Sequence, residues 1–252
     1  WIVDPIFLAS NQKIDLEAGV ELQARLGGFQ GKTDMLFKLR DKENITINGY
    51  GAILSMRKED YRTAPYEKAE WRSCLGIYGG SNIKILGITL ANCGGDGIYI
   101  AGGSSLFSKD ITIKDVVAEN NYRQGISVIS VEGLLIESSI LRGTEGTKPA
   151  AGIDFEPNGP TDRLVGIVMK DCVIEGNQGY GIQVALGHVP ADFRPVKISI
   201  VGGRVTDNKK GALIVHAHDV KGELVFQATK LVGKRSLVHS DAFTVTIAPG
   251  LK

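Results

Sequence analysis

The sequence predicts an all-β fold, a solenoid of parallel strands with about 8–9 rungs, each one repeat long. Three observations carry that expectation. A glycine followed by an aliphatic residue recurs at Gly97, Gly125, Gly152, Gly181 and Gly211, with spacings of 28, 27, 29 and 30 residues. A period of roughly 20–50 residues marks a stacked repeat. Each period also holds three short alternations of apolar and polar residues, the periodicity of strands and not of helices. The intervals between them are too short for the helical crossovers that join parallel strands in a doubly wound sheet.

Aligned by period, the first strand gives the columns Ile83, Ile111, Leu134, Ile167, Ile198 and Ile85, Ile113, Ile136, Met169, Ile200. The second gives Leu90, Ala118, Leu141, Ile174, Val205. The third gives Ile98, Ile126, Ile153, Ile182, Ala212 and Ile100, Val128, Phe155, Val184, Ile214. Stacking apolar on apolar along such columns buries what no single rung can bury alone. Between the second and third strands, Asn121, Asn177 and Asn208 share a corner with Cys93. Asparagine tolerates left-handed backbone and its amide bonds along a stack, so this column reads as structural.

Taken in order, residues 1–43 are expected to form irregular first rungs that cover the open end. Residues 44–54 read as a regular rung. Residues 55–73 interrupt the stack with a charged and aromatic insertion that includes Tyr61, Tyr66, Glu70, Trp71 and Arg72. Insertions in a solenoid gather on one face, often the binding face. Shorter excursions fall at 145–151, 157–163 and 187–195. Residues 218–252 read as degenerate closing rungs, and residues 1–252 as a single domain.

Composition fits this outline. Hydrophobic residues make up 43% of the chain, with 32 glycines and only 7% aromatics, which suits aliphatic columns joined by tight turns. The 29 basic and 28 acidic residues leave a net charge of +1, so there is no electrostatic case for nucleic acid or an anionic membrane as partner. No apolar run approaches the roughly 20 residues of a membrane span. The chain opens at Trp1 and not at Met, as removal of an upstream segment such as a secretory signal would leave it. Cys74, Cys93 and Cys172 are odd in number and lack metal-type spacing, so they read as small core or turn residues and not as a disulfide framework.

If the aliphatic residues of the third strand point inward, their neighbours point outward. Asp96 and Tyr99, Gln124 and Ser127, Asp154 and Glu156, then Tyr180 and Gln183 line successive rungs, with Arg123 just outside the second. Strand spacing then puts Asp96, Asp154 and Glu156 roughly 7 to 12 Å from one another, with Arg123 near the middle. Two carboxyls so placed can divide the acid and base labour of glycosidic cleavage, and their repulsion raises one pKa above the other. Asp154 and Glu156 are the expected acid and base, Asp96 the supporting carboxylate, and Arg123 and Gln124 the groups that orient the sugar. Trp71, Arg72, Tyr99, Tyr122, Tyr180, Gln183 and His188 are expected to contact substrate. No metal ligand is assigned. The same carboxylates allow an alternative, β-elimination with bound Ca²⁺ and Arg123 as base, which requires a strongly perturbed arginine. The ordinary reading, a solvated face on a non-catalytic glycan-binding or structural solenoid, stands beside both. His216 and His218 share one strand face but have no third ligand near in sequence.

The phrases Gly94-Gly95-Asp96-Gly97-Ile98-Tyr99-Ile100, Asn121-Tyr122-Arg123-Gln124-Gly125-Ile126-Ser127-Val128 and Ala151-Gly152-Ile153-Asp154-Phe155-Glu156-Pro157-Asn158 resemble bacterial right-handed parallel β-helix repeat proteins of the pectate-lyase-like superfamily. The likeness runs over residues 36–215. It implies a carbohydrate-active protein, secreted or periplasmic, with a polysaccharide or oligosaccharide lying across the sheet that bears Asp96, Arg123, Asp154 and Glu156. It does not imply one reaction, because that superfamily includes lyases, hydrolases, epimerases and tailspike depolymerases. The chain lacks the Asp-Asp pair and Gly-His-Gly of polygalacturonases and the Asp-Pro-His-Glu of mannuronan epimerases. The expectation taken forward is a glycoside hydrolase without a cofactor, with a Ca²⁺-dependent polysaccharide lyase as the alternative.

Overall fold

The period-two alternation folds the described residues into 27 strands, arranged as three parallel sheets of nine strands each. The computed structural model describes residues 1–248. Each turn of the right-handed helix contributes one strand to each sheet, so the first, second and third strands of the sequence periods become three faces. The inward columns are those expected on the first two faces. Ile111 pairs with Ile83 and Leu134, Leu134 with Ile167, and Ile167 with Ile198. On the second face, Leu90, Ala118, Leu141, Ile174 and Val205 stack in one register. These side chains are almost fully excluded from water, and each aliphatic group so buried contributes roughly 1.5–3 kcal/mol relative to exposure.

The ends are built the same way. Ile2–Val3, Ile6–Phe7 and Lys13–Asp15 pair with Glu21–Ala24, Phe37–Arg40 and Glu43–Asn48. Gly222–Gln227, Lys230–Leu231, Arg235–His239 and Phe243–Ile247 extend the three sheets at the far end. Residues 249–252, expected to belong to the closing rungs, lie outside the described residues.

The corner column is a hydrogen-bond ladder. Asn121 Oδ1 accepts from the Cys93 N–H, Asn177 Oδ1 from the Thr144 N–H, and Asn208 Oδ1 from the Asn177 N–H. Thr144 thus fills the rung between Asn121 and Asn177. Glycine beside this corner leaves room for the packed neighbours: a Cβ on Gly152 would run into Ile174 Cγ2 and lie 2.9 Å from the Gly181 carbonyl oxygen and 3.0 Å from Asn177 Nδ2. Asn177 also donates to the Leu141 carbonyl at 3.1 Å. Asn177→Ala leaves buried backbone groups unpaired and is expected to cost about 2–4 kcal/mol, since each buried orphan costs about 1–3 kcal/mol. Urea unfolding would read the loss, and a cost under about 0.5 kcal/mol would show that the ladder is ornamental.

The structure corrects two expectations here. On the rung that contains Gly211–His218, Ile182 pairs with Leu213 and Val184 with Val215, so Leu213 and Val215 hold the inward places assigned to Ala212 and Ile214. Gly211 stands opposite Tyr180 and not Gly181. The register follows the corner asparagines and not the glycines, because Ile126, Ile182 and Leu213 each lie five residues after theirs. Second, Cys74 and Cys93 form a disulfide, with Cα atoms 5.4 Å apart. Cys74 leads into one third strand and Cys93 turns the corner of the next rung, so stacking brings together residues separated by 19 in sequence. Closing a loop of that length stabilises the fold by about 3 kcal/mol. Cys172 is free and buried.

Candidate functional site

The third sheet carries Ile98–Ala101, Gln124–Val128, Ala151–Phe155 and Tyr180–Ala185 on adjacent rungs. Register sets Tyr99 beside Ser127, Ser127 beside Asp154, and Asp154 beside Gln183. These outward residues were expected to face solvent, and there the structure differs. Asp96, Gln124, Ser127 and Asp154 are all at most 1% exposed. The loops cover them. The insertion crosses the sheet at an antiparallel bridge between Arg72 and Gly94, and Glu70 reaches over to Arg123 and accepts from Thr147 Oγ1 at 3.0 Å. From the other side, the Asn158 side chain reaches the Tyr99 phenol, and the His188 ring contacts the Pro157 carbonyl.

Arg123 is the centre of the cluster. Its guanidinium lies 2.9 Å from Glu156 Oε2, 3.5 Å from Glu70 Oε1 and 3.7 Å from Asp96 Oδ1, and it donates to Ser127 Oγ at 3.3 Å. Burial opposes its charge, yet the attraction of Asp96, Glu156 and Asp154 outweighs that and holds its pKa above the ordinary arginine value. Asp154 receives Gln124 Nε2 at 2.8 Å and Gln183 Nε2 at 3.2 Å on one oxygen, while the other has no partner. Burial, followed by repulsion from Glu156, pushes its pKa well above the usual carboxylate range against the pull of Arg123. Burial likewise raises Asp96 to about 7, again against the pull of Arg123. Both are carboxyls that the fold prefers protonated.

That preference has a sign that can be checked. A carboxyl whose folded pKa lies above its unfolded value contributes stability in full below the unfolded value and loses it as pH rises to the folded one. For Asp96 the window runs from about 4 to about 7, and its three-unit span corresponds to about 4 kcal/mol. Asp96→Asn is therefore expected to gain stability over the unmodified protein at pH 8, and little or none at pH 4, in urea unfolding. No gain at pH 8 would mean that ionised Asp96 is fully compensated by Arg123.

The other expected contacts divide. Arg72 is not at the surface: it is fully buried and donates to the carbonyls of Phe29, Gln30 and Glu67, clamping the insertion to the first rungs. Trp71 is 44% exposed. Tyr122 is half-buried beneath the Arg62 guanidinium, which lies 3.3 Å from its ring centroid. Tyr99 and Tyr180 are half-buried and His188 is exposed. Tyr78 packs on Tyr99 with centroids 5.5 Å apart. Glu70 is the residue that sequence reasoning left out of the site, because no repeat dictates where an insertion lands. His216 and His218 both point outward. Among the described residues no group of three His, Cys, Asp or Glu side chains is placed to hold a metal ion. Nor is any helix long and apolar enough to cross a membrane.

Comparison with known proteins identifies the fold. A family model for the right handed beta helix region matches residues 67–224. The SPbeta prophage-derived uncharacterized protein YorA of Bacillus subtilis (strain 168) is 26% identical over 188 residues, which are 68% of this chain and 32% of that protein. The chain therefore spans about a third of the length of this relative. Among solved structures, pectate lyase Pel9A superposes with a TM-score of 0.61 at 10% identity, over 97% of this chain and 78% of that one. The surface adhesin PfbA of Streptococcus pneumoniae gives 0.53 at 13% identity, over 98% and 68%. At those identities the likeness is one of fold, and a lyase and an adhesin share it.

Proposed function

Because the chain belongs to the right-handed β-helix family, whose rungs hold outward side chains at fixed intervals, we propose that it cleaves glycosidic bonds in a polysaccharide by carboxylate acid–base chemistry. One observation carries the reading. Glu70 and Glu156 are both held on Arg123 and are the carboxylates of the cluster that reach solvent, with 34% and 27% of their side chains exposed. They are the acid and the base. One gives a proton to the glycosidic oxygen as its bond to the anomeric carbon breaks; the other takes a proton from the water that bonds to that carbon. Arg123 fixes their separation. Asp154, expected from the sequence to partner Glu156, is assigned to positioning instead: its sealed carboxyl holds Gln124 and Gln183, and Asp96 holds Arg123.

The elimination alternative requires Arg123 to surrender a proton, whereas its neighbours hold that proton more firmly than in free arginine. The disulfide supports an oxidising compartment, and hence export. Mass spectrometry of products from neutral and uronate polysaccharides tests the reaction. One water gained per cut supports hydrolysis. Products with no water gained mean elimination, and uncut glycans across the panel mean a binding solenoid.

A further inference from the structure

Beside the cluster lies a cavity of about 730 Å³, within the size range of ligand sites, formed by the insertion together with Tyr122 and Thr147. We propose that it is a sugar subsite selective for a ring carrying a negative charge, an inference that rests on the glycan reading above. Three features of the lining point there.

The first is aromatic. Trp71 lines the cavity with nearly half its indole exposed, so it does not serve to pack the insertion down. That task falls to Tyr61, which is buried and meets Tyr66 edge-on at 5.0 Å, and to the Arg72 clamp. A flat apolar face held open to water beside hydroxyls suits the apolar face of a pyranose ring.

The second feature is charge. Arg62 donates to the carbonyls of Lys58 and Gly94, which engages two of its five N–H groups without neutralising it. Among the described residues neither Arg62 nor Lys68 has a carboxylate within 4.0 Å. The acidic member of the lining, Glu70, is already engaged by Arg123 and Thr147. The cavity thus holds uncompensated positive charge, which a carboxylate or sulfate on the sugar would answer.

The third feature is position. Glu70 both lines the cavity and touches Arg123. A ring seated against Trp71 therefore sets its neighbouring glycosidic bond at the acid–base pair, and the cavity selects which bond is cut.

Isothermal titration of the Glu156→Gln protein, in which slowed cleavage is expected to leave the hexamers intact, uses hexamers of glucuronate, galacturonate and mannuronate, each beside its carboxyl-reduced form. At least one charged hexamer is expected to bind about tenfold more tightly than its reduced form. Trp71→Ala in that background should weaken it about tenfold. Arg62→Gln should abolish the difference between charged and reduced forms while the reduced hexamer still binds. Equal affinity for charged and reduced hexamers, unchanged binding in Trp71→Ala, or no hexamer bound overturns the subsite. Failure of the cleavage reading shows separately, as uncut polysaccharide with the unmodified protein.

Discussion

Arg123→Met is expected to destabilise the protein by about 3–5 kcal/mol at pH 8, and by distinctly less at pH 5. The substitution keeps most of the buried volume and removes the cation that Asp96, Glu156 and Glu70 share. Without it, carboxyls that burial already drives toward protonation lose the main pull in the other direction. Their folded pKa values rise further above the unfolded ones, so the variant's stability falls more steeply as pH rises and the penalty is greatest where the unfolded chain ionises freely. At pH 5 the buried pair takes up protons and much of the repulsion disappears. Arg123→Lys restores the charge but not the fork that spans several carboxylates, and is expected to recover only part of the loss. Urea unfolding at the two pH values decides the matter. An equal cost at both would show that Arg123 contributes packing and not neutralisation.

Much of this arrangement was legible in the sequence, for a reason that also marks where legibility ends. A stack repeats its inward positions, so Ile83 to Ile198 and Leu90 to Val205 could be aligned by eye, and the same arithmetic put Arg123 among Asp96, Asp154 and Glu156. Alternation says which side of a sheet a residue faces. It does not say what lies over that side, and Asp96 and Asp154 were therefore read as exposed although the insertion and the neighbouring loops bury them. Glu70 was beyond reach for the same reason, as the path of residues 56–74 follows from the Arg72 clamp and the Tyr61 contacts and not from any period. Cys74 and Cys93 are neighbours only once rungs stack, so their spacing carried no pairing signal. The one-residue error at Leu213 came from counting from glycine when the amide of the corner asparagine sets the register.

Glu156→Gln and Glu70→Gln are each expected to lower kcat for polysaccharide cleavage by about 10²–10⁴-fold, the usual yield of a positioned acid or base. Neither should unfold the protein, because both side chains sit at the solvent edge of the Arg123 cluster, where a broken ion pair costs about 1 kcal/mol or less. Asp154→Asn supplies the contrast. An amide is close in shape to the protonated carboxyl that burial favours, and its oxygen can still accept from Gln124 and Gln183. A positioning role predicts less than about a tenfold loss there, seen mainly in KM. The three variants together separate two pictures of the site. Large losses at Glu70 and Glu156 with a small one at Asp154 mean that sugar meets the cluster at its solvent edge, with the loops latched as they stand. An Asp154→Asn loss as large as that of Glu156→Gln would mean that the loop cover parts to admit substrate to the buried carboxyl. The Glu70–Thr147 contact that joins the two loops would then be the bond that has to open.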